Sequence, residues 1–180
     1  MQKKNILLSV FFLGFSFLVQ GQANFDDFLK DFPLMSGDFT WTGEDLEKAR
    51  TSGKKIQGAK LFFITDGQTA LGEYFPLGRI EVSGTNFVFW AYHTGTYDAE
   101  NTQIHLCSRA YDKKGKPVDV TQNYMASNGG VKDKFDYSFE AIFNSKKNTL
   151  YIDQKTTDKP MASKTIYSFS KKGYGFKNAN

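Results

Sequence analysis

Apolar and polar residues alternate with a period of two along much of this chain, a pattern typical of β-strands with one buried face. The alternation is clearest in KFDYSFEAIF at 134–143, where aromatic or small apolar residues occupy every second position. Similar segments recur along the rest of the chain between Gly, Asn, Asp and Lys turns: KLFFIT, GRIEV, NFVFWAYH, TQIHLCSRAY, PVDVT, KFDYSFEAIF, TLYIDQK and KTIYSFS. These eight segments predict a mainly β fold, an antiparallel meander that forms a sandwich, roll or barrel.

Two segments before the first predicted strand carry helix signals instead. NFDDFLKDFP at 24–33 places four apolar residues at i, i+3, i+4 and i+7, with Asn24 as the N-cap and Pro33 as the stop. A second helix is expected from Thr42, where TGED resembles a capping box, to Gly53. We therefore expect one or two short N-terminal helices, the first of which seals an edge or end of the sheet.

Connections between the predicted strands are short, with one exception. AYDKKGKPVDV and IFNSKKNTLYI have the form of β-hairpins. The longest uncertain connection is 121–134, whose SNGG tip is flexible by composition. No linker divides the chain, so we expect a single domain.

The N-terminal MQKKNILLSVFFLGFSFLVQGQAN has the order of a secretory signal peptide: two lysines, an apolar run, then small and polar residues. The apolar run is shorter than the roughly 20 residues of a membrane span. Cleavage after Gly21 is expected, with cleavage after Ala23 as the alternative. This gives a signal peptide at 1–21 and a β-rich domain at 22–180. No cysteine lies near the junction, so we expect a periplasmic or secreted protein that is not a lipoprotein and has no membrane span after cleavage.

Charge narrows the choice of partners. The formal net charge is +4, and loss of Lys3 and Lys4 with the signal peptide leaves 21 basic against 19 acidic residues, a poor balance for a nucleic-acid-binding protein. Residues 22–100 contain 7 basic and 12 acidic residues, whereas 101–180 contain 14 basic and 7 acidic. Solvated lysines at strand edges and turns, where they hinder pairing with other chains, would explain this asymmetry. Attraction to an acidic partner or an anionic glycan is the alternative.

The signal peptide, the Phe-x-x-Phe-Leu-x-x-Phe-Pro helix at 25–33, YFPLGRIEV at 74–82 and RAYDKKGKPVDV at 109–120 occur together in this chain. In combination they resemble small exported proteins of Bacteroidota-type bacteria, and the resemblance covers most of the mature chain. It implies export and a β-rich fold. Because that group has no known activity, the resemblance implies no catalytic residue.

Only two histidines and one cysteine are available for metal or thiol chemistry, and one cysteine cannot form an internal disulfide. The apolar residues of the hairpin formed by 87–93 and 102–111 favour a register with Trp90 near His105. His93 then lies on the opposite face, and neither a metal site nor a Cys107–histidine pair forms. The alternative is a slip by one residue, which would bring the two histidines to about 7–8 Å from each other.

Catalytic motifs are missing from the sequence. It has no G-x-S-x-G, P-loop or H-E-x-x-H motif, and DAENTQIH lacks the glycine and the terminal glutamate of an EF-hand loop. Among the carboxylates only Asp98 and Glu100 follow closely after His93. We therefore expect no catalytic residue, no metal site and no cofactor.

Aromatic residues make up 16% of the chain, more than a small core requires. Exposed Trp and Tyr beside polar groups commonly contact sugars, peptides or proteins. The stretch FVFWAYHTGTYD and its partner strand supply the candidate binding residues Trp90, Tyr92, Tyr97, Asp98 and His105. The competing interpretation is that most of these rings pack in the core or on the sheet.

Three functions fit these observations. The leading hypothesis is an exported, non-enzymatic binding protein of the bacterial envelope with a protein or glycan partner. A variant is a periplasmic immunity-type protein that neutralises a toxin. The alternative is a small hydrolase that acts on an envelope or environmental polymer, with His93 and Asp98 or Glu100 in acid–base roles.

Overall fold

The structure, a computed structural model, describes residues 24–65, 72–94, 103–118, 123–131, 135–157 and 163–179. The signal peptide predicted at 1–21 lies outside these ranges and stays a prediction. None of the helices within the ranges is long and apolar enough to cross a membrane.

The described helices all lie before residue 66, and every strand except the first follows them, so the predicted mainly β fold is confirmed. The helices are α1 (Phe25–Leu29), α2 (Gly43–Thr51) and α3 (Leu61–Thr65), and a 3-10 turn (Gly58–Lys60) leads into α3. The strands are β1 (Phe39–Thr42), β2 (Glu73–Val82), β3 (Thr85–His93), β4 (Ile104–Tyr111), β5 (Asn123–Val131), β6 (Phe135–Asn144), β7 (Thr149–Thr156), β8 (Ser163–Ser170) and β9 (Gly173–Asn178).

Both predicted N-terminal helices form next to their expected caps. Asn24 Oδ1 accepts a hydrogen bond of 2.9 Å from the N–H of Asp26, and α1 then ends before Pro33. At the start of α2, the Asp45 carboxylate accepts bonds from the N–H of Thr42 (2.9 Å) and from its hydroxyl (3.0 Å). The local capping signals were therefore sufficient to locate these two helices.

Strands β2 to β9 pair in chain order as an antiparallel meander, while β1 pairs with β6. In the described residues β2 and β9 do not pair with each other, so the sheet is open and the barrel alternative is wrong. The sheet bends at β5, and side chains from its two halves, β2–β4 and β6–β9, join in one core.

Strand β5 forms the corner of the bent sheet. Its residues 123–128 pair with β4, whereas its last part, Gly129–Val131, pairs with β6. Gly129 has a φ of 79°, in the left-handed region where glycine carries no steric penalty. The prediction of a flexible connection at 121–134 is therefore wrong over β5, because the SNGG sequence joins the two halves of the sheet.

The concave side of the sheet holds the main core. Rings from the two halves meet there, with Phe87 and Phe169 centroids 4.9 Å apart. Ser108 Oγ on β4 and Tyr174 OH on β9 lie 2.8 Å apart across the same space. Leu46 of α2 is fully buried in this core, so helix and sheet close it together.

A second apolar layer covers the convex side of β2, β3 and β4. It contains side chains from α1, α3 and the outward-facing positions of the three strands, and we name it the outer cluster. Its buried members are Phe25, Phe28, Phe32, Ile56, Ile64, Tyr74, Val88, Trp90, Cys107 and Tyr111. Strands β3 and β4 are consequently buried on both faces over most of their length.

The segment KLFFIT ends the 3-10 turn and forms α3, so the strand predicted there is wrong. Leu61 and Ile64 are three residues apart and pack on the outer cluster. Arg109 Nη1 on β4 donates to the carbonyls of Phe63 (3.0 Å) and Ile64 (3.3 Å), and the Tyr111 hydroxyl also donates to Phe63. These contacts favour a helix despite the β propensity of the sequence.

Two further strands, β1 and β9, were not indicated by the sequence patterns. Of the predicted strand PVDVT, the structure describes Pro117 and Val118, and Pro117 forms a bridge with Tyr111. Its last three residues lie outside the described ranges, and the strand stays a prediction there. The predicted IFNSKKNTLYI hairpin is confirmed, with β6 and β7 joined by the turn at 145–148.

Candidate functional site

The β3–β4 hairpin at the centre of the candidate site has a definite register. Trp90 lies opposite Cys107 and Tyr92 opposite His105, a shift of two residues from the predicted pairing. Because side chains alternate along a strand, His93 lies on the other face of the sheet from His105. The predicted separation of the histidines is confirmed. No group of three His, Cys, Asp or Glu side chains that could hold a metal occurs in the described part of the chain.

Trp90 is not available to a ligand. Its exposed fraction is 0%, and it packs in the outer cluster with residues of α1 and α3. Its indole Nε1 has no hydrogen-bond partner among the described residues. The prediction of Trp90 as a binding residue is therefore wrong, because the N-terminal segments cover the face on which it lies.

Beyond this cover, Tyr92, His105 and Tyr124 form a group of neighbouring rings that we name the Tyr–His patch. Tyr92 stacks with His105 at 5.9 Å, and Tyr124 stands edge-on to both at 6.0 and 5.6 Å. Tyr124 is 55% exposed, whereas Tyr92 and His105 are half-buried. Buried Tyr74 stacks on Tyr92 at 4.9 Å, and Ser127 Oγ shares a 2.8 Å hydrogen bond with His105 Nδ1. The exposed ring thus stands on a packed base.

The Tyr–His patch is uncharged at neutral pH. Burial, followed by repulsion from His93 when that imidazole is protonated, lowers the pKa of His105 below its ordinary value of 6.5. Burial raises the pKa of Tyr92, and it raises the pKa of Tyr124 to about 12, so both hydroxyls keep their protons. The patch therefore offers hydrogen-bond donors and acceptors without a formal charge.

A group of charged side chains lies near His93, on the opposite face of the sheet from the patch. Glu73 is directly opposite His93 in the β2–β3 register, with Glu73 Oε2 4.0 Å from His93 Nδ1. Lys55 pairs with Glu73, and Arg50 pairs with Glu47 at 2.7 Å on α2. Burial and then Arg50 lower the pKa of His93. We name these five residues the His93 cluster, and its imidazole is neutral at pH 7.

Two predicted binding residues, Tyr97 and Asp98, lie outside the described residues, as does Glu100. Their roles stay predictions. Of the five predicted binding residues, the structure brings Tyr92 and His105 into one patch and places Trp90 beneath the surface.

The most exposed ring of the patch, Tyr124, is not among the predicted binding residues. Tyr124 and Ser127 lie on β5, where a register shift between Leu106 and Cys107 of the partner strand interrupts the pairing. Such a bulge breaks the period-two pattern, so the alternation did not reveal the strand. The contact of Glu73 with His93 was also missed, because it depends on the pairing of two separate strands.

No protein-family model, curated protein or solved structure matches this chain. The geometry of the Tyr–His patch and of the His93 cluster therefore provides the evidence for a function.

Proposed function

We propose that this protein is an exported, non-enzymatic binding protein of the bacterial envelope and that the Tyr–His patch contacts its ligand. The observation that carries the proposal is the 55% exposure of Tyr124 on a base of stacked rings. A ring fixed in this way loses little conformational entropy when a ligand covers it. Buried apolar area and fixed polar groups are the usual ingredients of a binding hot spot.

The chemistry of the patch favours a neutral glycan as the ligand. A sugar ring has an apolar face that can stack on tyrosine and hydroxyl groups that can bond to uncharged donors and acceptors. His105 and the tyrosine hydroxyls carry no formal charge at neutral pH, so they can bond hydroxyl groups without a charged group being desolvated. A protein partner with an exposed aromatic or amide group is the remaining possibility.

Binding of neutral glycans to an immobilised array, followed by calorimetric titration of the best ligand, tests this proposal. We expect Tyr124→Ala to weaken binding about tenfold or more, in the range of a truncated hot-spot aromatic. Phe176→Ala is the matched control, because Phe176 is also an exposed aromatic, at 74%, on a different strand. Equal losses in the two variants, or no glycan binding by the unmodified protein, would count against the glycan proposal.

A pull-down from envelope extract separates the protein-partner versions. Recovery of one protein by the unmodified chain but not by Tyr124→Ala would favour a protein ligand at the same patch. If that protein were a toxin whose activity the chain blocks, the immunity-type variant would replace the glycan proposal.

The hydrolase alternative has one specific observation in its favour. His93 Nδ1 has no hydrogen-bond partner among the described residues, and the Glu73 carboxylate is 4.0 Å away. A neutral imidazole beside a carboxylate is one arrangement that supports acid–base chemistry. If the protein cleaves any envelope polysaccharide, His93→Gln should lower kcat at least about a hundredfold. Unchanged turnover in that variant would reject His93 as the catalytic group.

A further inference from the structure

The meander places four connections at the same end of the sheet. They join β2 to β3, β4 to β5, β6 to β7 and β8 to β9, and alternate connections of an antiparallel meander share one end. Their described residues are 83–84, 112–118, 145–148 and 171–172. We name this surface the lysine end, because it is where most lysines of the second half of the chain come together.

The described residues of these four connections include seven lysines and one acidic residue, Asp112. One further carboxylate, that of Asp38, accepts bonds from Ser145 beside Lys146. The lysines are Lys113, Lys114, Lys116, Lys146, Lys147, Lys171 and Lys172. All seven are exposed, and none forms an ion pair with an acidic residue in the described ranges. The Asp112 carboxylate is occupied by the backbone, accepting from the N–H of Lys114 (2.8 Å) and of Lys116 (2.9 Å).

The lysines between residues 24 and 65 are arranged differently. All five lysines between residues 24 and 65 pair with an aspartate or glutamate. In two of these pairs, Lys30 with Asp27 and Lys60 with Asp31, the charged atoms are 2.6 Å apart. Seven cations without an ion pair among the described residues repel one another where they lie close together, and an anionic partner would relieve this repulsion. The contrast therefore indicates a surface that receives negative charge.

The bend of the sheet turns part of this end into a groove. The hydroxyl of Thr85 donates to the carbonyl of Lys171 at 3.3 Å, so the first and last turns of the meander meet. The groove has a volume of about 520 Å³, and its charged lining residues are Lys113, Lys114, Lys171 and Asp112. Lys113 crosses Gly84, where an added Cβ would lie 2.9 Å from Lys113 Cε. Its stem is thereby held along one wall.

We infer that the lysine end binds a linear acidic polysaccharide. The connections that carry lysines follow one another along the sheet. Each is two strands from the next and therefore about 9–10 Å away. A chain with negative groups at regular intervals can contact several turns at once, whereas a single anion fills only the groove. Several weak lysine contacts then add to a useful affinity.

Two other polyanions fit the surface less well. Proteins that lie on anionic membranes present apolar side chains beside their lysines. The exposed large apolar residues of the described chain are Leu34, Phe62, Tyr124, Ile142 and Phe176, and none belongs to the lysine end. Non-specific single-strand binding uses aromatic platforms between basic groups, and the described residues of these connections contain no aromatic ring.

Titration of the purified protein with size-defined heparin fragments and with polygalacturonate tests the inference for sulfated and carboxylated chains. The decisive variant is Lys113→Gln/Lys114→Gln/Lys171→Gln, which removes the three groove lysines. Its matched control is Lys155→Gln/Lys164→Gln/Lys177→Gln, which removes three exposed lysines of β7, β8 and β9 that form no ion pair within the described ranges. Both variants change the net charge equally.

We expect the groove variant to bind at least one of the two polysaccharides about tenfold more weakly and the control to change affinity less than about twofold. Affinity should also fall as salt rises, since exposed charges are screened. Equal losses in both triple variants would show attraction by net charge alone and would overturn the inference. Tighter binding to vesicles containing phosphatidylglycerol, or to single-stranded DNA, would overturn the choice of polysaccharide.

The Tyr–His patch and the lysine end are tested independently. Tyr124 lies on the convex face of the sheet and is not part of the groove. We expect Tyr124→Ala to keep heparin and polygalacturonate binding, so failure of the patch proposal leaves this inference standing. Loss of polysaccharide binding in Tyr124→Ala would instead assign the acidic chain to the patch and reject the lysine end.

Discussion

Strands β3 and β6 are both rich in aromatic residues, yet they are buried in different ways. In β3 the first seven residues, including Asn86, are all buried. In β6, buried Phe139, Ala141 and Phe143 alternate with exposed side chains. The difference comes from what lies outside the sheet: α1 and α3 cover β3, whereas the outer face of β6 is open. A near-continuous apolar strand in this molecule therefore marks a sheet covered on both sides.

The same difference explains why Trp90 is buried. Trp90 alternates with the core residues of β3, so the period-two pattern predicts that its side chain faces solvent. In β6 the same reasoning is correct, because Ile142 occupies the equivalent outward position and is 41% exposed. The covering helix, and not the strand pattern, determines which outward aromatic residues can meet a ligand.

The largest effect should follow from removing a side chain of that cover. Phe28 is fully buried and lies 4.9 Å, centroid to centroid, from both Phe32 and Phe63. We expect Phe28→Ala to lower the free energy of unfolding by about 3–5 kcal/mol. Ile142→Ala, on the open half, should cost less than about 1 kcal/mol. Urea denaturation measures both, and equal costs would mean that α1 is not part of the cooperative core.

A smaller effect is expected where the strand holds the cover in place. Arg109→Leu removes the donors to the carbonyls of Phe63 and Ile64, at a cost of about 2–3 kcal/mol. Arg79→Leu is the control, because Arg79 is only half-buried and donates to Asn86 at 2.8 Å. Amide hydrogen exchange should accelerate selectively in α3 of the Arg109 variant. Uniform acceleration through the whole sheet would contradict this local role.

The corner between the two halves should be sensitive to backbone conformation. Gly129→Ala places a Cβ at a φ of 79° and should destabilise the fold by about 1–2 kcal/mol. Gly175→Ala is the matched control, because Gly175 has no such φ and an added Cβ there meets nothing within 4 Å. Thermal unfolding of the two variants distinguishes a strained corner from a general loss of glycine. A neutral Gly129→Ala would show that β5 bends by another route.

The smallest effect should be a pH dependence that belongs to the covered half. His105 has a pKa below its ordinary value of 6.5, so the unfolded chain takes up the proton first and stability falls as the pH drops below 6.5. His105→Gln should reduce the fall in Tm between pH 7 and pH 5 by about 2 °C. His93 shifts in the same direction and leaves part of the slope. An unchanged slope in the variant would exclude His105 as a contributor.

What the sequence could predict depended on whether the signal was local. The caps at Asn24 and Thr42 fixed the first two helices, and the turn at 145–148 fixed the hairpin after β6. The register of β3 against β4 was harder to predict from the sequence, because a shift of two residues leaves every side chain on the same face. The apolar pattern therefore separated His93 from His105 correctly while pairing Trp90 with the wrong residue.

The candidate site depended still more on distant contacts. Tyr92 and His105 could be chosen from their strands, but the burial of Trp90 required knowing where α1 packs. Tyr124 joins them only because β5 follows β4 in the sheet. The lysine end likewise emerges from four turns that are distant along the chain and become neighbours through the topology.

The pairing of β1 with β6 also affects the order in which the chain can fold. The other strand pairings among the described residues join consecutive strands. Next to β1, Asp38 also accepts bonds from the N–H (2.8 Å) and hydroxyl (2.7 Å) of Ser145, 107 residues further on. During synthesis β1 emerges long before its partner exists, and the closure of so large a loop is entropically slow. The first strand to be made is thus among the last to be docked, and until then one side of β6 is open to other chains.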